Sequence, residues 1–408
     1  MTTYPQNNRI TGTRSPGRGF SSAALRFTGS VDDLVAELKP AQPLYVLRPE
    51  QLARTAKEFA ALFPGDVMYA VKCNPEKIVL QTLYKNGVRS FDVASIEEVR
   101  LVTKIAPKAK LYFMHPVKAP EAIREAYAVH GVRAFVLDTQ EELYKILQET
   151  DLAPDLELFV RVALPKNNEA LTDFSSKFGV LPEGATLLLQ QCRPVAARLG
   201  VCFHVGTQST NPDVYARAIN VAADVIMKSG VKVDVLDVGG GFPVMYPGME
   251  HPPLERYMKS IAVAMKRCGL QDLPLLCEPG RALVAAPVSL VVRVEQRRGD
   301  LLYLNDGTYG GLFDAARWSG LRYPVRVVRK GEDVACSETI PFRFAGPTCD
   351  SLDMMDGPFH LPADVRTGDW IEICNAGAYS RGLRSNFNGF GRSQTVALYE
   401  RSGAELPL

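Results

Sequence analysis

Eight positions in the first 280 residues share one property: each closes a short apolar run with a polar group or with glycine. They are Lys72, Asp92, His115, Asp138, Arg161, His204, Gly239-Gly240-Gly241 and Glu278. Lys72 follows Met68-Tyr69-Ala70-Val71, so its amine is expected in a partly desolvated pocket. Desolvation lowers an amine pKa and favours the neutral nucleophile that adds to an aldehyde; a lysine snorkelling from a strand end is the plain alternative. Leu236-Asp237-Val238 runs into three glycines, whose bare N–H groups can approach an anion closely or merely make a tight turn. Glu278-Pro279-Gly280-Arg281 adds a small residue and a cation at the next run. His204 reads equally as a ring-stacking side chain or a hydrogen-bonded core histidine, and Asp138 before Thr139 as a helix N-cap.

Taken singly these are ordinary strand ends. Taken together, polar groups at eight consecutive ends ask for a common ligand. A lysine for an aldehyde, an N–H nest for a phosphate and an acid for a cationic ring nitrogen describe pyridoxal 5′-phosphate. Glu278 beside a phosphate is costly unless a cation pairs with it, and a pyridinium nitrogen is such a cation.

The elements that must position these groups are legible in the periodicity. β-prone runs cover Val67–Lys72, Ser90–Ala94, Lys110–Met114, Ala134–Asp138, Glu157–Val162, Val201–Val205, Val233–Val238 and Pro274–Cys277. Helix-like apolar spacing lies between them, as in Ile96–Ile105 and Thr139–Gln148. Eight such units over about 230 residues fit a (β/α)8 barrel, whose strand ends converge on one face and whose last two loops commonly hold a phosphate. An open doubly wound sheet is the rival. After residue 285 short strands alternate with Gly-, Pro- and Asp-rich turns, which predicts an all-β domain of sandwich or barrel type. The expected organisation is therefore a mobile arm at 1–24, a segment at 25–44 joining the β domain, the barrel at 45–285 and the β domain at 286–408.

Composition narrows the class without naming a reaction. The 408 residues carry 47 Lys+Arg and 45 Asp+Glu, a formal charge of +2, with 46% hydrophobic residues. Near-balance argues against a broad nucleic-acid footprint. No run reaches the roughly 20 apolar residues that span a bilayer, and no apolar leader is evident. Eight cysteines without a CxxC pair and five histidines without HxH or HxxxH spacing argue against a metal centre and for a reducing cytoplasm. A soluble cytoplasmic enzyme is expected.

The motifs resemble the fold-type III pyridoxal phosphate decarboxylases, the family of ornithine, lysine, arginine and diaminopimelate decarboxylases. They are Tyr69-Ala70-Val71-Lys72-Cys73-Asn74, Phe91-Asp92-Val93-Ala94-Ser95, Phe203-His204-Val205-Gly206, Gly239-Gly240-Gly241-Phe242-Pro243, Glu278-Pro279-Gly280-Arg281 and Gly346-Pro347-Thr348-Cys349-Asp350. The likeness runs from about residue 40 to 400 in the family's order. It is nearest to the eukaryotic-type ornithine decarboxylases, which also show Asn305-Asp306-Gly307-Thr308-Tyr309-Gly310 and Phe387-Asn388-Gly389-Phe390.

The resemblance implies that Lys72 carries the cofactor as a Schiff base, Glu278 pairs with its ring nitrogen and His204 stacks on the ring. Asp92 and Arg161 would keep the surroundings in register. Thr207, Gly240, Gly241, Gly280, Arg281 and Tyr379 would hold the phosphate, Thr207 standing where family members place serine. Cys349 would return a proton to carbon after carbon dioxide leaves. Asp350 would contact the distal amine of the substrate, and Tyr309 is a further candidate for binding it. The family's head-to-tail homodimer, with the Cys-Asp loop entering the partner's barrel, implies two shared active sites. Decarboxylation of L-ornithine to putrescine in polyamine biosynthesis is the leading reading, with lysine to cadaverine next.

Two departures qualify the substrate, and a third difference weakens the diaminopimelate reading. The family's Tyr-Asp pair after Asn-Asp-Gly-x-Tyr-Gly is replaced by Gly311-Leu312-Phe313-Asp314-Ala315-Ala316-Arg317. Asp314 is a shifted candidate for the distal-amine contact, and Arg317 would repel a cationic substrate if it pointed inward. His115-Pro116-Val117-Lys118 replaces the family's Asn-Pro-Cys-Lys turn and reads as a neutral variation near the rim. Diaminopimelate decarboxylases usually show Cys-Glu-Ser where Cys349-Asp350-Ser351 stands. Two alternatives follow: an unusual ornithine-like, diaminopimelate-like or carboxylated polyamine substrate, or a catalytically silent regulator of the antizyme-inhibitor kind.

Overall fold

The computed structural model describes residues 25–166, 170–171, 177–329 and 338–400. The arm expected at 1–24 lies outside them. The chain forms two compact units: one holds the residues up to Ala53, Tyr246–Gly248 and those from Val284 onward, and the other holds Arg54–Met245 and Met249–Leu283.

The first unit begins with strands β1 (Leu25–Thr28) and β2 (Leu44–Leu47). Between them the helix Val31–Leu38 starts at Ser30, whose side chain accepts from Asp33 N while Asp33 reaches back to the Ser30 amide, a capping box that satisfies two orphan donors. Strand β2 falls where the sequence reading starts the barrel. It pairs instead with β strands of the first unit, because all four of its residues are buried and two neighbouring strands flank it.

Eight parallel strands make the second unit's core: β3 (Asp66–Ala70), β4 (Ser90–Val93), β5 (Lys110–Phe113), β6 (Ala134–Leu137), β7 (Glu157–Arg161), β8 (Arg198–Cys202), β9 (Val235–Asp237) and β10 (Leu275–Cys277). The order closes from β10 back onto β3 through Leu276↔Asp66 and Cys277↔Val67, so the barrel holds and the open sheet does not. Met68, Tyr112, Met114, Ala134, Val136, Phe159, Cys202, Val235 and Leu276 form one buried cluster in it, the packed side-chain layers that fill such a barrel. Helices follow the strands, and two of them start at side-chain caps. Ser95 accepts from Glu98 N at 3.3 Å, and Thr139 from Glu142 N at 3.1 Å. Thr139, not Asp138, is thus the cap; Asp138 Oδ2 accepts from Gly179 N at 2.8 Å instead.

The remaining strands complete the first unit: β11 (Val288–Arg298), β12 (Leu301–Leu304), β13 (Val325–Val328), β14 (Thr339–Ala345), β15 (Met354–Pro362), β16 (Trp370–Ile373) and β17 (Gln394–Tyr399). They form a nine-stranded mixed sheet in the order β1-β17-β2-β11-β12-β14-β15, with β16 also on β11 and β13 on β16. Phe27, Val31, Leu34, Val35, Leu44, Val46, Val291, Val328, Val396 and Leu398 make its core. β15 is absent from the sequence reading because Gly357, Pro358 and His360 break the alternation that marks a strand.

Candidate active site

The chain leaves β3 in a single 3-10 turn, Val71–Cys73, that buries Val71 and Cys73 and leaves Lys72 between them more exposed. The Tyr69 hydroxyl donates to Asn74 O at 3.0 Å and fastens that turn. Lys72 Nζ donates to Asp92 Oδ2 at 2.6 Å, with side-chain exposures of 39% and 0%. The partly desolvated pocket expected around this amine holds an ion pair, because β4 sets its buried acid beside the turn. Asp92 Oδ1 is buried with no donor among the described residues, which leaves an acceptor at the lysine for a further polar group.

β8 ends at Cys202, earlier than expected, so His204 lies in the loop beyond it. The Gly206 amide donates to His204 Nδ1 at 3.0 Å, which puts the proton of the neutral ring on Nε2. Burial, then the Arg161 and Lys72 cations, hold this imidazole well below the usual histidine range. It is neutral at pH 7.

The glycines are packed too closely for side chains. A Cβ on Gly239, at φ 68°, would stand 2.2 Å from Phe203 O. One on Gly240 would lie 2.5 Å from Glu278 O and 3.1 Å from His204 Nε2, and one on Gly241, at φ 98°, 2.2 Å from Gly206 O. Their carbonyls are engaged by Glu278 N, the Tyr215 hydroxyl and Ser209 N at 2.8, 2.8 and 3.0 Å. The Gly240 and Gly241 N–H groups donate to no acceptor among the described residues, the arrangement of an anion nest. On the next loop, a Cβ on Gly280 would meet Cys73 Cβ at 2.9 Å, beside Lys72.

Asp237 and Glu278 close the floor of this group. Both carboxyls are pushed up, chiefly by burial: Asp237 to about 6, and Glu278 well above the usual range with Asp237 as its next cause. Arg161, at the end of β7, lies over the Phe178 ring at 5.4 Å, and His115 meets the same ring edge-on at 5.3 Å. Thr207 is held at its carbonyl by Leu171 N at 2.9 Å, and Arg281 is buried at the head of a four-residue helix.

In the His115–Lys118 turn Val117 is exposed, but Lys118 is not. Its amine is buried, donates to Val136 O at 2.6 Å and His115 O at 3.0 Å, and lies 3.0 Å from buried Glu142. Burial pushes it down to about 8. The residue ties the ends of β5 and β6 together from inside.

The other expected residues belong to the first unit. The Tyr309 hydroxyl donates to Asp350, and Leu352 N to the other Asp350 oxygen at 2.9 Å. These two donors, Leu352 first, pull the Asp350 carboxyl down. Cys349 is exposed, its amide donating to Asn388 Oδ1 at 3.1 Å. Asp314 is buried in the 3-10 turn Phe313–Ala315. Arg317 forms an exposed ion pair with Asp356 at 2.9 Å, so its charge has a partner on its own unit. Tyr379 takes φ 52° after the Gly377-Ala378 turn. Sequence reasoning gave no role to Asp237, although it precedes the glycines, nor to Asp306, Arg384 and Asn388, which brace the Tyr309 and Cys349 loops. Among the described residues no three His, Cys, Asp or Glu side chains gather as a metal site.

Residues 49–285 match the family model described as pyridoxal-dependent decarboxylase, pyridoxal binding domain. The chain is 34% identical over 375 residues to the chloroplastic ornithine decarboxylase of Nicotiana glauca, covering 87% of this chain and 83% of that one. It is 31% identical to the lysine/ornithine decarboxylase of Selenomonas ruminantium, covering 81% and 82%. Among solved structures, the Paramecium bursaria Chlorella virus arginine decarboxylase superposes with a TM-score of 0.78 at 26% identity, over 90% of this chain and 100% of that one. The Vibrio vulnificus lysine/ornithine decarboxylase complexed with putrescine gives 0.76 at 31% identity, over 90% and 98%.

Proposed function

The chain belongs to the pyridoxal-dependent decarboxylases, and from that premise we propose that it decarboxylates a basic L-amino acid, L-ornithine before L-lysine, to release carbon dioxide and putrescine for polyamine synthesis. The observation that carries this reading is the set of groups at one end of the barrel: a lysine on a buried acid, a neutral histidine, two carboxyls pushed up from their ordinary range and a glycine nest with donors to spare. These residues fit pyridoxal phosphate. The Asp92 oxygen and the Gly240 and Gly241 amides, which have no partner among the described residues, are places that a bound polar group satisfies.

When bound, pyridoxal phosphate supplies an electron-withdrawing ring that accepts the electron pair left by departing carbon dioxide. The chain's own residues do the rest. Lys72 holds the aldehyde carbon, with Asp92 fixing its amine. Glu278 keeps a proton on the ring nitrogen, and His204, being neutral, covers the ring face without adding charge. Arg161 keeps the surroundings in register. The Gly240, Gly241 and Gly280 amides, with Thr207, Arg281 and Tyr379, hold the phosphate. Cys349 delivers a proton to the α-carbon. Asp350, oriented by Tyr309, takes the distal amine, and Asp314 is a second acid for that end.

Cys349 and Asp350 act on the partner's barrel in a head-to-tail homodimer with two shared active sites. Exposed apolar side chains support this: Leu352, Leu383, Phe387 and Phe390 are 54%, 44%, 42% and 45% exposed around the loops that carry Cys349 and its partner Asn388. Such a cluster is unusual on a monomer. The free state of the described cysteines supports a cytoplasmic setting. The test of shared sites is complementation. Mixed Lys72→Ala and Cys349→Ala subunits form heterodimers with one intact site, so random pairing restores about a quarter of native activity. Two variants that stay silent after mixing refute sharing.

A further inference from the structure

β9 lies between β8 and β10, and its last residue, Asp237, pairs in register with Cys202 on one side and Leu276 on the other. The side chain is fully buried. Asp237 Oδ1 accepts from the Gly239 amide at 2.9 Å, and Oδ2 has no donor among the described residues. Leu276 is the register partner of Asp237 on β10, so Glu278, two residues on, faces the same side of the sheet, and the two carboxyls interact side chain to side chain. Two carboxylates that meet without a donor repel, whereas one proton between them turns the same contact into a hydrogen bond. The surroundings agree. Lys72 and Asp92 from the β3 and β4 ends, Arg161 from β7 and the thiols Cys202 and Cys277 from β8 and β10 face the pair. With one proton on the pair, the Lys72 and Arg161 cations face two negative charges there, Asp92 and the shared carboxylate.

We propose that Asp237 is a positioning residue for Glu278: the two carboxyls share one proton, and Asp237 keeps it when Glu278 faces a ring-nitrogen cation. This rests on the pyridoxal reading for the role of Glu278, but the proton itself does not. Asp237 thus works as a hydrogen-bond donor, aiming a single ionised oxygen of Glu278 at the ring. An aspartate that must donate can be replaced by asparagine.

The test uses the full chain without and with pyridoxal phosphate. Difference infrared spectra of the cofactor-free protein at pH 7 show a protonated-carboxyl band, lost in Asp237→Asn and in Glu278→Gln. Pyridoxal phosphate affinity in Asp237→Asn stays within about threefold of native, while Asp237→Ala, which also unpairs the Gly239 amide, weakens it at least about tenfold. Stability gives an independent readout. An acid raised on folding contributes stability below its unfolded pKa and loses it as pH rises through the folded value. The pair therefore lowers the melting temperature of cofactor-free native protein, relative to Asp237→Asn, as pH rises from about 4 to 6 and beyond. Absence of the band in native protein, or its persistence in both variants, overturns the proposal. If pyridoxal phosphate fails to bind while the band behaves as stated, the cofactor reading fails and the shared proton stands.

Discussion

Replacing Arg384 by methionine strands a buried acid. Asp306 is 2% exposed and the Arg384 side chain 6%, and the guanidinium donates to Asp306 and, at 3.2 Å, to the Tyr45 hydroxyl. Asp306 also accepts from Gly307 N at 3.0 Å and Gly311 N at 3.2 Å, so it cannot swing out to water without opening the Tyr309 loop. Breaking a buried ion pair from one side destabilises by about 3–5 kcal/mol. The low end applies, because Arg384 Nε and Nη1 are buried without acceptors among the described residues and the native pair already carries part of that desolvation cost. A loss of about 3 kcal/mol lowers the melting temperature of a unit of 150–250 residues by about 6–12 °C. The double replacement Arg384→Met with Asp306→Leu is less destabilised than Arg384→Met alone, since no charge is then left buried. The damage reaches the site through bonded neighbours: Ser385 N donates to Tyr309 O at 2.9 Å, and Asn388 holds the Cys349 amide. Arg384→Met therefore also speeds alkylation of Cys349. Calorimetry of the two variants with thiol-labelling kinetics decides the matter. A shift under 2 °C for Arg384→Met, or a double replacement whose effects simply add, refutes the reasoning.

Gly240→Ala forces the Glu278 backbone and His204 apart, since its Cβ would lie 2.5 Å from a carbonyl oxygen that cannot rotate away. A shift near 1 Å lowers kcat/KM about a hundredfold, measured with the fold checked by circular dichroism. Lys118, lowered from 10.5 to about 8, is an amine that folding holds partly against its charge, so native stability rises with pH between about 8 and 10.5; Lys118→Met abolishes that rise in pH-dependent melting curves. Tyr309→Phe removes one of two donors to Asp350, raises KM for ornithine about fivefold with little change in kcat, and moves the acid limb of kcat/KM to higher pH because the Asp350 carboxyl is less pulled down.

The barrel was legible because eight apolar runs end at polar groups, and parallel strands buried on both faces read as near-continuous hydrophobic stretches. Lys72, Asp92, His204 and Glu278 stood out by ending those runs. What escaped notice acts through contacts distant in sequence. Asp237 looked like part of a strand because its partner lies 41 positions on at Glu278, and Asp306 meets Arg384 78 residues away. β15 hid behind glycine and proline, and the burial of Lys118 was not legible because its partner Glu142 is on a later helix. Periodicity reports what an element buries; it does not report which buried polar groups meet.

Carbon dioxide release from L-ornithine by purified protein with pyridoxal phosphate tests the central claim most directly, run beside lysine, arginine, diaminopimelate and carboxynorspermidine. The expected result is one putrescine for each carbon dioxide, fastest with ornithine, and loss of both the reaction and the visible absorbance of bound cofactor in Lys72→Ala. Visible absorbance in the native protein with no carbon dioxide from any of the five would contradict it.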